Sequence, residues 1–356
     1  MESLPLGRSP VTVSRIVHGC MSFADDDGRA VRAIHAAFDA GVTTFDTAPL
    51  YGFGRSEELL AKAIADRRGR LQILTKVGLR WDGAHGRVLF ESVGRDGTRR
   101  VVRRDSRAAS IRQEVDMSLR RLGVDVLDLV QVHHRDLETP LAETMAEFET
   151  LTRAGKIRAV GVSNFSRAEI EESSAQLGPV PLAAAQLEYS LLARRIEADA
   201  LPWARDHTVA VLAYSPLAHG ALAGRQMEGK PSPPDWRRDT PCFDPRNVET
   251  INRALAQSVV PLARSRGLDL AQVCLAWVLS QPGITAAIVG ASSPAQAIAN
   301  AAAADARLSP TELELISASW RRVELAAPTR AGRGVVTRVR SLLSRLRDAA
   351  GSGRNG

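Results

Sequence analysis

Long apolar runs are missing from this sequence of 356 residues. Residues 1–20 contain no apolar stretch of signal-peptide length, and no later stretch is long enough to span a bilayer. Hydrophobic residues nevertheless make up 44% of the chain, which is the share of an ordinary globular protein with a large core. We therefore expect a cytoplasmic protein without a membrane span.

Cysteine is also scarce in this sequence. The three cysteines are an odd number, lie far apart and form no C-x-x-C pair: Cys20, Cys242 and Cys274. This spacing argues against a disulfide framework and against a cysteine-based metal site. We expect three reduced, buried thiols and no bound metal.

Excess charge is absent from most of the chain, although the formal net charge is +7. Residues 321–356 carry nine arginines against two acidic residues, so the preceding 320 residues are neutral in sum. A neutral body gives no electrostatic reason to expect nucleic-acid binding there. In the tail, apolar residues recur at helical spacing between the arginines: Val335, Val336, Val339, Leu342, Leu343 and Leu346. The tail is therefore either a basic amphipathic helix or disordered, and either solvated or bound to an acidic or membrane surface.

The chain also lacks a G-x-G-x-x-G motif between its first predicted strand and its first predicted helix. Strand and helix patterns alternate, and the predicted strands cover residues 15–21, 42–47, 71–77, 126–133, 157–163, 182–189, 209–215 and 285–290. Eight strands, each followed by a helix, favour an α/β fold with a closed (β/α)8 TIM barrel and its helices outside. An open doubly wound sheet is the alternative, but such a sheet would hold a dinucleotide at the missing glycine motif.

Other segments complete this barrel. Residues 4–17 are predicted to form a β-hairpin that caps it. The predicted helices cover residues 29–40, 56–67, 106–122, 140–154, 166–177, 197–207, 248–281, 294–304 and 309–320. The last of these begins with a serine cap, a proline in the first turn and a glutamate three residues after the cap. We expect one barrel domain at residues 1–320, including extra C-terminal helices, and a separate basic tail at residues 321–356.

Two long segments interrupt the alternation of strands and helices. Residues 79–105 are charged and dotted with glycine, with a small hairpin expected inside, and residues 218–247 are rich in proline, glycine and charge. Loops of this length in a compact domain are usually functional or disordered. In a barrel both would rise from the C-terminal face, where active sites lie. We expect their aromatic residues to line a substrate cleft: Trp81, Phe90, Trp236 and Phe243.

Lysine is rare in this chain, with four residues against 43 arginines. Lys76 ends an apolar strand, which suggests a need for a compact ammonium acting at short range. Asp46 and His133 also end predicted strands, and Tyr51 lies in the loop after Asp46. Reduction of a carbonyl by hydride suits such residue types, because a tyrosine whose pKa is lowered by an ammonium can donate the proton, while a neutral histidine can bind the carbonyl oxygen. Taken singly, each residue also has a structural explanation, such as packing for a lone loop tyrosine.

The order and spacing of these residues resemble the aldo-keto reductase family. The resemblance implies that Tyr51 is the general acid, that Lys76 lowers the pKa of its phenol, and that Asp46 orients Lys76. It also implies that His133 donates a hydrogen bond to the substrate carbonyl. Spacing alone does not choose between His133 and His134, and the family's Q-x-H pattern selects His133.

The resemblance covers about residues 4–320 and implies an NAD(P)H-dependent oxidoreductase that reduces an aldehyde or ketone, such as a sugar or secondary-metabolite carbonyl, to an alcohol. The insertion after Lys76 and the paired histidines are similar to bacterial branches of the family close to sugar and xenobiotic aldehyde reductases. The alternative is a cofactor-binding, redox-sensing regulatory subunit of the same fold with little turnover.

The same resemblance implies a nicotinamide cofactor site in the second half of the chain. Residues at the family's cofactor positions are Ser163, Asn164 and Gln186 for the carboxamide, Tyr214 for stacking under the nicotinamide ring, Ser215 and Leu217 for the pyrophosphate, and Gly290, Ser292, Gln296 and Asn300 in the final motif. Barrel packing remains the alternative role for Tyr214.

The final motif departs from the commonest family version, which places a lysine or arginine near the adenosine 2′-phosphate. This departure weakens the case for NADP over NAD, because a charge-assisted contact is missing. The second long loop can supply the charge from Arg225, Arg237 or Arg238. We expect NADP, with NAD as the alternative.

Overall fold

A closed barrel of eight parallel strands lies at the centre of the computed structural model, which describes residues 1–21, 26–233 and 235–326. The helix predicted in the basic tail falls at residues 335–346 and lies outside the described residues. The strands are β1 (Ser3–Pro5), β2 (Thr12–Ser14), β3 (Ile16–Gly19), β4 (Thr44–Asp46), β5 (Gln72–Val77), β6 (Leu79–Arg80), β7 (Arg87–Val93), β8 (Arg99–Arg104), β9 (Leu129–Val132), β10 (Val160–Ser163), β11 (Leu182–Glu188), β12 (Ala210–Tyr214) and β13 (Ile284–Gly290).

The barrel strands follow one another in the order β3, β4, β5, β9, β10, β11, β12 and β13, and β13 pairs with β3 to close the ring. Every neighbouring pair is parallel. The prediction of a (β/α)8 barrel is confirmed, and the open doubly wound sheet is excluded.

The helices are α1 (Asp27–Asp39), α2 (Arg55–Ile64), α3 (Ala108–Leu122), α4 (Leu141–Arg153), α5 (Arg167–Gln176), α6 (Ala200–Asp206), α7 (Pro245–Ala254), α8 (Val260–Arg266), α9 (Leu270–Leu279), α10 (Pro294–Ala302) and α11 (Pro310–Trp320). The predicted cap of the last helix is confirmed, since Ser309 and Glu312 form a capping box.

The single helix predicted over residues 248–281 is wrong, because the chain forms three helices there with a π-turn between the first two. Gly267 has a φ of +66° and ends α8 in the left-handed conformation. Asp269 then caps α9 through a capping box with Gln272. The apolar periodicity continues across this break, so the pattern alone does not reveal it.

Two apolar layers hold the barrel together. Inside it, Val17, Leu74 and Leu212 pack in one cluster with Leu6 and Val13 of the antiparallel β1–β2 hairpin. The hairpin therefore caps the end of the barrel where the strands begin, as predicted. Between the strands and the surrounding helices lies the larger core cluster, so most strands are apolar on both faces.

The insertion after β5 forms an antiparallel sheet in which β8 pairs with both β6 and β7. Gly86 allows the close approach of the turn before β7, since it has a φ of +85° and a Cβ there would lie 1.8 Å from the Arg104 carbonyl oxygen. On one face of this sheet Leu79, Leu89 and Val102 pack against Leu50, Phe53, Trp81 and Phe90. The insertion thus covers the loop that follows β4.

Cys20, Cys242 and Cys274 are buried, free thiols, as expected. Within the described ranges of the chain, none of the helices combines the length and apolar character needed to cross a membrane.

A buried carboxyl group anchors the end of β5. Glu114 of α3 is 3% exposed, and its Oε1 accepts a hydrogen bond of 2.9 Å from the Gly78 backbone N–H. Burial raises the pKa of this carboxyl to about 8 from an ordinary 4.5, although the Gly78 bond and Arg80 act in the opposite direction. The folded protein therefore holds a proton at Glu114 that the unfolded chain releases at lower pH.

We expect Glu114→Gln to gain stability relative to the wild type as the pH rises from about 5 to about 8, because glutamine keeps the acceptor for Gly78 without the ionisable group. In this window the folded wild type binds more protons than the unfolded chain, so its free energy of unfolding falls by up to about 1.4 kcal/mol per pH unit. Urea unfolding of both proteins at several pH values measures the difference. The exposed Glu58→Gln on α2 is the matched control and should show no such trend. If the difference in free energy of unfolding between Glu114→Gln and the wild type stays constant with pH, Glu114 does not hold a buried proton.

Candidate active site

Three neighbouring barrel strands bring the predicted catalytic residues to one end of the barrel. Asp46 is the last residue of β4, Lys76 lies near the end of β5, and His133 directly follows β9. Because β4, β5 and β9 are adjacent and parallel, their carboxyl ends meet at the same rim. Tyr51 lies in the loop between β4 and α2, above these strand ends.

Lys76 is at the centre of the site. Its Nζ donates to Asp46 Oδ1 over 2.6 Å and to the Thr47 carbonyl oxygen over 2.9 Å. Both charged side chains are almost fully buried, with 1% and 4% of their surface exposed. Burial acts to lower the pKa of Lys76, but Asp46 and Tyr51 raise it, and the net shift is upward. Lys76 is therefore a permanent ammonium held in place by Asp46.

The phenol ring of Tyr51 lies next to this ammonium, with Lys76 Nζ 5.0 Å from the ring centroid. Gly52, Phe53 and Gly54 all have positive φ angles of 63°, 56° and 98°, so the loop turns sharply just after Tyr51. The turn directs the chain straight into α2, which begins at Arg55.

The expectation that Lys76 brings the pKa of Tyr51 below its ordinary value is wrong for the protein alone. Burial raises this pKa above 10, and the opposing charge of Lys76 only reduces the shift, while Asp46 adds to it. The sequence indicates the neighbouring charge but not the burial of Tyr51, whose side chain is half-buried. Tyr51 therefore carries its proton throughout the physiological pH range.

His133 lies beside Tyr51, with ring centroids 5.8 Å apart and the rings nearly perpendicular. Its backbone N–H donates to the Val77 carbonyl oxygen over 2.9 Å, which fixes the residue against the end of β5. Burial lowers the pKa of His133 well below 6.5, and His134 and Lys76 lower it further. The imidazole is thus neutral and suited to hydrogen bonding. His134 stacks on the outer side of His133 at 5.3 Å.

Gln186 contacts the catalytic cluster directly, a contact that the sequence did not indicate. Its Nε2 donates to Asp46 Oδ2 over 2.8 Å and lies 3.4 Å from Gln131 Oε1. Gln131 is fully buried, and its own Nε2 has no hydrogen-bond partner within the described part of the chain. Gln131 is the first residue of the Q-x-H pattern that ends at His133, but the sequence did not indicate its contact with the cluster.

Ser163, Asn164 and Tyr214 lie together on the side of the rim next to His133. Asn164 Nδ2 donates to the His133 carbonyl oxygen over 3.0 Å and to Ser163 Oγ over 3.1 Å. The Tyr214 hydroxyl donates to Asn164 Oδ1 over 2.7 Å. Asn164 adopts a positive φ of 62°, so the chain bends sharply where β10 ends. The ring of Tyr214 is half-buried at the edge of the inner barrel cluster.

The loop after β12 has an unusual backbone path. Ser215, Ala218 and His219 have φ angles of 51°, 48° and 60°, and Leu217 is half-buried between them. Trp236 of the long loop packs edge-on against His219, with centroids 5.1 Å apart. This contact places Trp236 over the segment that contains Ser215.

The residues of the final motif surround the start of α10. Ser292 donates both its backbone N–H and its hydroxyl to Gln296 Oε1, over 2.8 Å and 2.9 Å. Asn300 Nδ2 donates to the Gly290 carbonyl oxygen over 3.3 Å. Ser293 caps the helix by accepting from the Gln296 backbone N–H. The segment therefore forms a polar turn at a helix N-terminus, where an anion is favoured.

The four aromatic residues of the long loops have different environments. Trp81 packs edge-on against Phe53 at 5.4 Å, and Phe90 is half-buried in the same cluster. Phe243 is only 4% exposed and belongs to the main core. The prediction that Phe243 lines the cleft is therefore wrong, because the short 3₁₀ turn Pro241–Phe243 directs the ring inward.

No group of three or more histidine, cysteine, aspartate or glutamate side chains within the described ranges is arranged to hold a metal ion. Asp46 and His133, which are candidate ligand types, are instead engaged with Lys76 and Tyr51.

Comparison with known proteins gives a consistent result. The model of the Aldo/keto reductase family matches residues 15–321. The chain is 35% identical over 306 residues to the aldo-keto reductase YhdN of Bacillus subtilis (strain 168), covering 83% of this chain and 86% of that protein. It is 32% identical over 328 residues to the NADH-specific methylglyoxal reductase of Escherichia coli (strain K12), covering 89% of this chain and 97% of that protein.

Solved structures agree with these sequence matches. The glycerol dehydrogenase AKR11B4 from Gluconobacter oxydans superposes with a TM-score of 0.78 and 36% identity, covering 91% of this chain and 98% of that one. The holo form of the aldo-keto reductase AKR11C1 from Bacillus halodurans gives a TM-score of 0.73 and 27% identity, covering 94% of this chain and all of that one.

Proposed function

The chain belongs to the aldo/keto reductase family, and from that membership we propose that it reduces an aldehyde or ketone to an alcohol with NADPH, using Tyr51 as the general acid. The observation that carries this proposal is the buried Lys76–Asp46 pair, whose ammonium lies against the phenol ring of Tyr51.

The residues of the rim fit a nicotinamide cofactor. Asn164 and Gln186 present side-chain amides beside His133 and Asp46, and amides are suitable polar partners for a carboxamide. The half-buried ring of Tyr214 offers an apolar face, and the hydrogen bond from its hydroxyl to Asn164 fixes the position of the ring. The bound cofactor supplies a hydride to the carbonyl carbon. We assign Ser163 to the carboxamide, and Ser215 and Leu217 to the pyrophosphate.

Each residue of the cluster has one task in the reaction. The Tyr51 hydroxyl gives its proton to the carbonyl oxygen as negative charge develops there. Lys76 stabilises the resulting phenolate by its charge, and Asp46 keeps the ammonium in position. Neutral His133 donates a hydrogen bond to the same oxygen and orients the carbonyl. Trp81 and Trp236 form the walls of the substrate cleft.

Tyr51→Phe should lower kcat for reduction of a simple aldehyde by at least about 100-fold, because the proton donor is lost while the ring remains. The dissociation constant of NADPH should stay within about twofold of the wild type, since the phenol oxygen is not a cofactor ligand in this scheme. Stopped-flow turnover and fluorescence titration measure the two quantities. Wild-type protein that binds NADPH but turns over no aldehyde in a broad screen would instead support the redox-sensing regulatory subunit.

The preference for NADP depends on one arginine of the second long loop. Ser292 and Gln296 form hydrogen bonds with each other, and the final motif contains no lysine or arginine. Arg237 pairs with Asp235, and Arg238 lies near Asp239, whereas the exposed Arg225 side chain has no ion pair within the described residues. Next to Arg225, Gly224 faces Leu270 at the start of α9, and Gln272 of that helix bonds to Ala299 of α10. These contacts support Arg225 as the partner of the adenosine 2′-phosphate.

We expect wild-type protein to bind NADPH more tightly than NADH, and Arg225→Gln to weaken NADPH about tenfold without changing NADH, because only NADPH carries the 2′-phosphate. Arg238→Gln is the matched control from the same loop. Tighter binding of NADH by the wild type would make NAD the cofactor and remove the role of Arg225.

A further inference from the structure

A buried arginine without a counter-ion lies in the insertion that covers the site. Arg104 is only 7% exposed, and its Nε is enclosed without any hydrogen-bond partner in the described structure. Its Nη1 donates to the Arg135 carbonyl oxygen over 3.2 Å, and no carboxylate of the described residues lies within ion-pair distance. Burial lowers the pKa of this guanidinium, as expected for a cation that has lost water without gaining an anion.

The location of Arg104 relates it to the proposed active site. Its backbone pairs with Leu79, three residues after Lys76, and its side chain reaches Arg135, two residues after His133. Arg100 and Val102 alternate with Arg104 along β8 and therefore share its face of the sheet. Val102 packs with Leu50 and Phe53, and the Arg100 guanidinium lies 4.7 Å from the Phe53 ring centroid. This face is thus turned towards the loop that contains Tyr51.

The two carboxylates whose charges act on Arg104 already accept hydrogen bonds from other groups. Asp136 and Glu169 are the carboxylates whose charges act on Arg104. Asp136 accepts from the Ser106 backbone N–H, the Thr139 hydroxyl and the Glu138 backbone N–H. Glu169 accepts from the Ser166 backbone N–H and hydroxyl in the capping box of α5. Oxygens of both carboxylates are therefore engaged by other donors, and neither carboxylate forms an ion pair with Arg104 within the described residues.

A second cation increases the positive potential here. Arg87 is the register partner of Arg104 across β7 and β8, and its charge also acts on Arg104. A desolvated guanidinium beside another cation has an unfavourable electrostatic free energy unless an anion pairs with it. Arg is also the side chain best shaped for bidentate binding of carboxylate or phosphate.

We propose that Arg104 is the binding site for an anionic group of the substrate, so that the chain prefers carbonyl compounds that carry a carboxylate or phosphate over neutral ones of the same length. This inference rests on the proposed reductase function and narrows its substrate class. Arg104 fixes the far end of the substrate, while Tyr51 and His133 bind the carbonyl oxygen.

The test compares two aldehydes that differ only at the far end, 4-oxobutanoate and butanal, with full-length wild-type protein and NADPH. We expect wild type to show a higher kcat/KM for 4-oxobutanoate, and Arg104→Gln to lower the ratio of the two kcat/KM values by about 10- to 100-fold, mainly through KM. Arg104→Lys should restore part of the ratio, since it keeps the charge but not the planar fork.

Arg103→Gln is the matched control, because Arg103 neighbours Arg104 on β8 but turns to the other face and bonds to the Gly86 carbonyl oxygen. It should leave the ratio unchanged. An equal loss for both aldehydes in Arg104→Gln, or no preference for 4-oxobutanoate in the wild type, would overturn the proposal.

If neither aldehyde is reduced, the proposed reductase function is wrong. Calorimetric titration with 4-hydroxybutanoate then tests separately whether Arg104 binds an anionic group. Binding to wild type that is lost in Arg104→Gln supports the anion site. Equal affinity of the two proteins, or no binding to either, overturns it.

Discussion

The structure of the rim depends on one buried ion pair, between Lys76 and Asp46. Placing two charges where 1% and 4% of their surfaces remain exposed carries a large desolvation cost, which the 2.6 Å contact and the surrounding hydrogen bonds offset. Removing one partner alone would leave an uncompensated buried charge, at a cost of about 3–5 kcal/mol. Lys76 also donates to the Thr47 carbonyl oxygen, and Gln186 donates to Asp46, so hydrogen bonds fix the positions of both charged groups.

The barrel makes this arrangement possible because its two ends have different chemistry. The β1–β2 hairpin and the inner apolar cluster seal the end where strands begin, while polar residues gather where strands end. The insertion covers the loop after β4 through Phe53 and Trp81. Burial raises the pKa of Tyr51 and so keeps its proton available, and Lys76 then favours the phenolate once the proton has left.

Strand positions, most helix positions, the closed barrel and the convergence of Asp46, Tyr51, Lys76 and His133 were predictable, because each depends on local pattern and on strand ends meeting at one rim. The break at Gly267 was missed because apolar periodicity continues through it. The burial of a side chain has no signal in the local sequence. The upward shift of the pKa of Tyr51 and the position of Phe243 in the core were therefore not predicted. The hydrogen bond from Gln186 to Asp46 and the lack of an ion pair at Arg104 depend on contacts between segments that are distant in the sequence. The spacing of residues along the chain does not predict such contacts.

We infer that the ammonium of Lys76 makes Tyr51 an effective proton donor. The most direct test of this inference is kcat for aldehyde reduction by the double variant Asp46→Asn/Lys76→Met, which removes both charges and so leaves neither one buried alone. We expect a folded protein that still binds NADPH while kcat falls by at least about 100-fold. A double variant that is folded, binds the cofactor and keeps the wild-type kcat would show that proton transfer from Tyr51 does not need the ammonium.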